Sequence, residues 1–224
     1  MNNFESAIGY SWFILTGAVA TVELTFLSCL LALILAMLSG IALTADQISV
    51  RAITRIYVEI FRGTSVFVQL FAAYFVLPFV GVSLSPLQSG VLALGLNGGA
   101  YGAEVVRAAL NAVGRDQREA TIALNLTRWQ SLWWVILPQA VVFMLPSFGN
   151  LAIELMKGTA VASLITVSEL TFQAQVVRGQ TGDTAMPFLL ILVIYLLIAS
   201  ALISFVRWLE RRFGRGIVSA NTGG

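Results

Sequence analysis

Few side chains in this sequence are equipped for chemistry, and most of those lie inside long apolar runs. Glu23, Glu59, Gln69, Asn97, Glu104, Asn150 and Glu154 all interrupt such runs. An ionisable or amide group in lipid is costly, so it pairs with a neighbour or marks a path for a polar solute. Glu59 with Arg62, and Glu104 with Arg107, are each three residues apart and share a helix face, so both are expected to pair internally. Gln69 and Asn97 lie nearer the middle of their runs, and Asn150 and Glu154 are four apart on one face. For a solute that carries both charges, Glu154 would offer a carboxylate to the cationic end, and Asn97, Asn150 or Gln69 would offer donors to the carboxylate. Glu23 is a further candidate. For each of these five, a bond to a neighbouring helix is the competing reading, and the sequence leaves both open.

Catalysis is disfavoured. The sequence has no histidine, which removes the commonest acid–base group and the commonest metal ligand. Its carboxylates are scattered rather than clustered, so no catalytic constellation can be drawn. Cys29 is the single cysteine and sits in an apolar run, a packing residue that forms no intramolecular disulfide. A net charge of +2 is too small to suggest nucleic acid.

The elements that carry these residues are membrane helices. Of 224 residues, 58% are hydrophobic and 11% charged, against roughly 25% charged in soluble domains. Lipid admits only helices and closed barrels. Barrel strands would alternate over about ten residues, and the runs here are long and unbroken. Five spans are read, at about residues 17–43, 52–77, 87–113, 134–156 and 186–206. Residues 3–15, with Trp12, read as a helix lying along the membrane surface. No basic leader precedes the first span, which is expected to act as the targeting signal. The third span is rich in small residues, Gly95, Gly98, Gly99, Ala100, Gly102 and Ala103, which suits close helix packing. Residues 157–185 read as a half-helix or re-entrant piece, a short outer helix and a glycine-rich turn. Residues 1–213 form one domain, and 214–224 a flexible tail.

The longest polar interruption before residue 157 runs from Glu119 to Ala140, preceded by the charged residues Arg115, Asp116 and Arg118. It reads as a short helix, an interfacial belt of Trp129, Trp133 and Trp134, and re-entry at Pro138. With the N-terminus outside, the inner side holds Arg51, Arg55, Arg62, Arg107, Arg115, Arg118, Arg128, Arg207, Arg211, Arg212 and Arg215, and the outer side only Lys157 and Arg178. Eleven against two is a strong positive-inside bias. It places the 114–133 loop and the C-terminus in the cytoplasm. A sixth span through 159–177 would put the arginine-rich tail outside.

Glu119-Ala120-Thr121, Asn125, Val135, Leu137 and Pro138 stand at the spacing of a known signature. It is the Glu-Ala-Ala, Gly, Ile-x-Leu-Pro loop of permease subunits of type I ABC importers, which this stretch resembles. Arg128-Trp129-Gln130, Arg62-Gly63-Thr64 with Val68-Gln69, Gly99-Ala100-Tyr101 with Glu104 to Arg107, Lys157-Gly158-Thr159 and Glu169-Leu170 look like the polar amino acid branch. The match covers about residues 10–213. Asn125 stands where the family has glycine; asparagine also tolerates left-handed backbone angles, so the turn is expected to survive. Gly158 stands where aspartate is usual.

The resemblance implies an all-α integral membrane protein of the bacterial inner membrane, with five spans, an N-terminal interfacial helix and a cytoplasmic coupling helix. Glu119, Ala120, Thr121, Ala123, Leu124, Asn125 and Arg128 would form the coupling site. Ala120, Ala123 and Leu124 would enter a groove of an ATPase, ringed by charge. No GxxxxGK[ST] sequence is present, so ATP and Mg would be bound by two separate ATP-binding cassette subunits. The further partners implied are a second identical or similar permease and an extracytoplasmic solute-binding protein. The implied solute is a polar amino acid or a related zwitterion such as an ectoine. A permease for methionine or an inorganic anion, and a structural subunit without a path, are the alternatives.

Overall fold

The structure, a computed structural model, describes residues 3–214, and every regular element among them is helical. Its centre is α4 (Pro86–Ala112) packed along α1 (Asn3–Ala42). The glycines of α4 explain the contact. A Cβ added at Gly99 would lie 2.7 Å from Leu35 Cβ, and one at Gly102 would lie 2.6 Å from Ala36 Cβ. Small residues allow backbones to approach this closely, and dispersion across that seam replaces the hydrophobic drive that lipid cannot supply. The small-residue run of the third span is therefore a packing surface. Ser85 starts α4 with a capping box closed by Gln88, and Pro86 occupies the first turn.

Two expectations about the early helices are corrected. The surface helix over 3–15 is not a separate element: α1 runs unbroken from Asn3 to Ala42. No proline occurs before Pro78 to interrupt it. Gly17 serves a close approach instead, since a Cβ there would lie 3.1 Å from the Glu169 carbonyl oxygen. The second span is not straight. α2 (Ile48–Gly63) ends at the break, and α3 (Val66–Phe71) leaves at 103°. Gly63, Thr64 and Ser65 are all poor helix interiors, so the break falls where propensity is weakest.

Beyond α3 the chain passes through a π turn (Ala72–Val76) and a 3-10 turn (Leu77–Val80). After α4 come α5 (Arg115–Ala123), α6 (Arg128–Gln130), a second π turn (Ser131–Ile136) and α7 (Leu137–Gly158). Each π turn ends two residues before a proline, Pro78 or Pro138. Proline donates no N–H and crowds the carbonyl four residues back; here those carbonyls, of Tyr74 and Trp134, lie inside the widened turns. Thr127 and Gln130 form a capping box, so the fourth helical run starts at Arg128 rather than near Trp134.

Past α7, a 3-10 segment (Thr159–Ile165) leads to α8 (Leu170–Thr181) and α9 (Ala185–Gly214). A short 3-10 piece and a 12-residue helix thus stand where a half-helix or re-entrant piece and a short helix are expected over 157–185. At about 1.5 Å per residue, α8 is only about 18 Å long, too short for a sixth span. Among the described residues, three helical runs are long and apolar enough to cross a membrane: Trp12–Ala42, Arg128–Ile165 and Ala185–Arg212; the bent α2–α3 pair adds up to one more. Arg215 and the expected tail beyond it lie outside the described residues; Gly214 closes α9.

Gly102→Val should destabilise the fold by about 1–3 kcal/mol, the usual cost of overpacking. Thermal unfolding followed by size exclusion in detergent checks this; a Tm equal to wild type would contradict the seam.

Candidate functional site

Helix α5 is held along one edge only. The Arg118 guanidinium donates to the Leu110 carbonyl and so closes the exposed C-terminal end of α4. Thr121 is buried; its hydroxyl donates to the Arg118 carbonyl at 2.7 Å and accepts from the Ser131 hydroxyl at 2.9 Å. Gln139 donates to Gln117 at 3.3 Å. Arg128 pairs with Asp46, tying the following turn to the loop after α1. Everything else on α5 points away from the protein. Ala120 and Ala123 are exposed, with Ile122 at 75% and Leu124 at 71%. Arg115 and Glu119 pair beside them at 3.1 Å.

The candidates of this loop thus divide. Ala120, Ala123 and Leu124 are outward, as expected, and Ile122 joins them. Sequence reasoning missed Ile122 because it falls off the three- and four-residue spacing of the others. Thr121 is an internal pin. Asn125 has φ +53°, so the left-handed turn expected of a glycine there is made by asparagine, closed by its N–H to the Ile122 carbonyl at 2.9 Å.

The polar side chains within the spans also fall into two sets. Gln69 Nε2 donates to the Phe61 carbonyl at 2.8 Å and to the Thr64 hydroxyl at 2.8 Å; Asn97 Nδ2 donates to the same Phe61 carbonyl at 2.8 Å. The Thr64 hydroxyl donates to the Ile60 carbonyl at 2.8 Å. These groups satisfy the carbonyls orphaned where α2 breaks. The second set is exposed. Ser147, Asn150, Glu154 and Lys157 form a stripe along α7 with Phe143. Beside it lies an open groove of about 430 Å³, lined by Glu104, Val105, Ala108, Ala109, Ala112, Phe143 and Ser147.

Glu104 heads that groove. Arg107 donates to its Oε2 from Nε at 2.7 Å and sits at 2.6 Å through Nη2, which bears out the expected pair. Glu59 and Arg62 do not pair. Arg62, in the last turn of α2 beside the bend, reaches across to Glu104 Oε1 at 3.7 Å and lies over the Tyr101 ring at 5.2 Å. Glu23 joins neither set; it is exposed on α1 among Val19, Phe26 and Leu30.

Glu169 is a buried carboxylate that sequence reasoning did not single out as a site. It is 0% exposed and caps α8, accepting from the N–H groups of Thr171 at 2.9 Å and Phe172 at 2.8 Å. The Tyr195 hydroxyl of α9 donates to it at 2.7 Å. Burial pushes its carboxyl above the usual range, opposed by these bonds. A glutamate directly before an apolar-patterned segment was the available signal for a cap. Among the described residues no group of three or more His, Cys, Asp or Glu could hold a metal ion.

Residues 32–215 match the family described as binding-protein-dependent transport system inner membrane component. A probable amino-acid ABC transporter permease protein, y4tF of Sinorhizobium fredii, is 44% identical over 87% of this chain and 84% of its own length. The L-cystine transport system permease protein TcyB of Bacillus subtilis is 37% identical over 88% of this chain and 80% of its own. The crystal structure of an amino acid ABC transporter with histidines superposes with a TM-score of 0.86 at 30% identity, covering 95% of this chain and 99% of that one. The chain belongs to this family and is a permease subunit of an ABC importer, a transport subunit and not an enzyme.

Asn125→Gly should leave stability unchanged or slightly raised, because the left-handed angle is kept. Asn125→Val should cost about 1–2 kcal/mol, the penalty for a Cβ-branched residue there. Thermal melts of the two variants in detergent separate these outcomes; equal Tm values would show that the turn is not left-handed.

Proposed function

We propose that this subunit pairs with a second, identical or similar permease to form the path for a polar amino acid. An extracytoplasmic binding protein delivers the solute, and two separate ATP-binding subunits hydrolyse MgATP to drive entry. The observation that carries this reading is the exposed stripe Ser147–Asn150–Glu154 on α7. These polar groups sit on an otherwise apolar helix, and lipid would leave them unsatisfied. A water-lined passage between two subunits satisfies them. Glu154 then meets the ammonium of the solute and Asn150 its polar end.

Five crossings complete the reading: α1, the α2–α3 pair, α4, the α6–α7 run and α9. At about 1.5 Å per residue, α4 is about 40 Å long and spans the bilayer; enclosed by protein, it has no need of a lipid-like surface. The distribution of basic residues supports an N-terminus outside and α5 in the cytoplasm of a bacterial inner membrane. Residues up to 213 act as one domain.

We assign coupling to α5. Ala120, Ile122, Ala123 and Leu124 form an apolar knob for the ATPase surface, with Arg115, Glu119 and Arg128 around it. Thr121 and Asn125 hold its shape. Because α5 is bonded to α4 through Arg118 and to the α7 run through Thr121 and Gln117, a push on the knob reaches both walls of the groove. The solute class follows the relatives, which are named for amino acids and for cystine. None of those reported above is named for an ectoine.

Glu154→Gln should lower solute uptake into membrane vesicles about tenfold or more while the complex still assembles, since a charge-assisted bond becomes a neutral one. Uptake at the wild-type rate would contradict the path along α7.

A further inference from the structure

Glu104 is shared unequally by its two arginines. Arg107 is committed to Oε2 through two short contacts, at 2.7 and 2.6 Å. Arg62 approaches Oε1 only to 3.7 Å, beyond hydrogen-bond length. Two guanidinium groups on one carboxylate leave one positive charge in excess. The Arg62 side chain is 42% exposed, so its donors are not used up inside the protein. The face of Tyr101 steadies it at 5.2 Å. Glu104, which Arg62 approaches, itself lines the groove, whose walls add Val105, Ala108 and Phe143 and a hydroxyl from Ser147. Its volume of about 430 Å³ suits a small solute.

We propose that Arg62 is a carboxylate-binding residue of the transport path, with Glu104 and Arg107 as the residues that position it. This rests on the permease reading above and deepens it. The solute carboxylate docks on the free edge of the Arg62 guanidinium, and its body lies against Phe143 and the alanine wall of α4. Glu154 lies seven residues beyond Ser147 on α7, roughly 10 Å along the axis. Glu154 is not among the residues that line the groove. The two groups therefore act in succession: Glu154 takes the ammonium first, and Arg62 takes the carboxylate further along. A net positive cluster at the second station sets the solute class. It favours carboxylate-bearing solutes of zero or negative net charge and disfavours those with an added cation.

Binding of L-glutamate, L-glutamine, L-arginine and 4-aminobutanamide (glutamine without its carboxylate) to the purified complex tests this. The complex would be held in lipid nanodiscs with its ATPase subunits and no binding protein. Wild type should bind glutamate and glutamine about tenfold or more tightly than arginine, and 4-aminobutanamide not at all. Arg62→Gln should weaken glutamate binding about tenfold, and Arg62→Lys should restore most of it. The proposal is overturned if arginine binds as well as glutamate, if the amine without a carboxylate binds equally, if no probe binds wild type, or if Arg62→Gln leaves affinity unchanged. The ranking of probes on wild type stands even if the glutamine variant does not assemble. Should Glu154→Gln abolish uptake while Arg62→Gln binds normally, the path reading survives and this one falls.

Discussion

Within lipid, a polar group has no water to fall back on, and that constraint sorts the side chains of this protein. The backbone is satisfied first, by helices. Where a helix breaks, amides replace the missing backbone partners: Gln69 and Asn97 both go to the Phe61 carbonyl at the end of α2. Several hydroxyls inside helices bond one turn back, as Thr25 does to Thr21 and Ser204 to Ser200. Glu169 is spent on the cap of α8 and on Tyr195. What is left over after this sorting includes the α7 stripe, the loosely held Arg62, Glu23 and Glu59. Ser147 of the α7 stripe lines the groove and Arg62 reaches towards its Glu104, which is why the path is proposed there and not at the amides.

The seam between α1 and α4 gives the second layer of organisation. Glycines bring the two backbones together and leave the other side of α4 free for Glu104, Val105 and Ala108, which line the groove. α5 hangs from the end of α4 and from the start of the α7 run, and from little else. Hydrogen bonds of up to 3.3 Å at those attachments, and an apolar tip exposed on its outer face, suit the coupling role proposed for α5.

Much of this was legible in the sequence. The small residues of the third span marked the seam, because close packing explains six of them together in lipid. The Glu119–Ala140 stretch marked the loop, and Asn125 was correctly expected to take the left-handed angle. Three things were not legible. The continuity of α1 depends on the absence of a breaker, which hydropathy does not weigh. The 103° bend after Gly63 is held by amides from α3 and α4, distant contacts that no local window contains. Arg62 turned from Glu59 to Glu104 because of that bend, so sequence spacing alone predicted the wrong pair. The roles of Gln69 and Asn97 stayed open for the same reason.

The central claim is that α5 transmits the state of an ATPase to the groove. The most direct measurement is ATP hydrolysis by the complex, purified with its ATPase subunits in lipid, with and without its solute-loaded binding protein. Wild type would be compared with a chain carrying Ala120→Asp and Leu124→Asp. The account predicts stimulation by the loaded binding protein in wild type and its loss in the double variant, with the complex still assembled. Equal stimulation in both, or no ATPase retained by wild type, would contradict it.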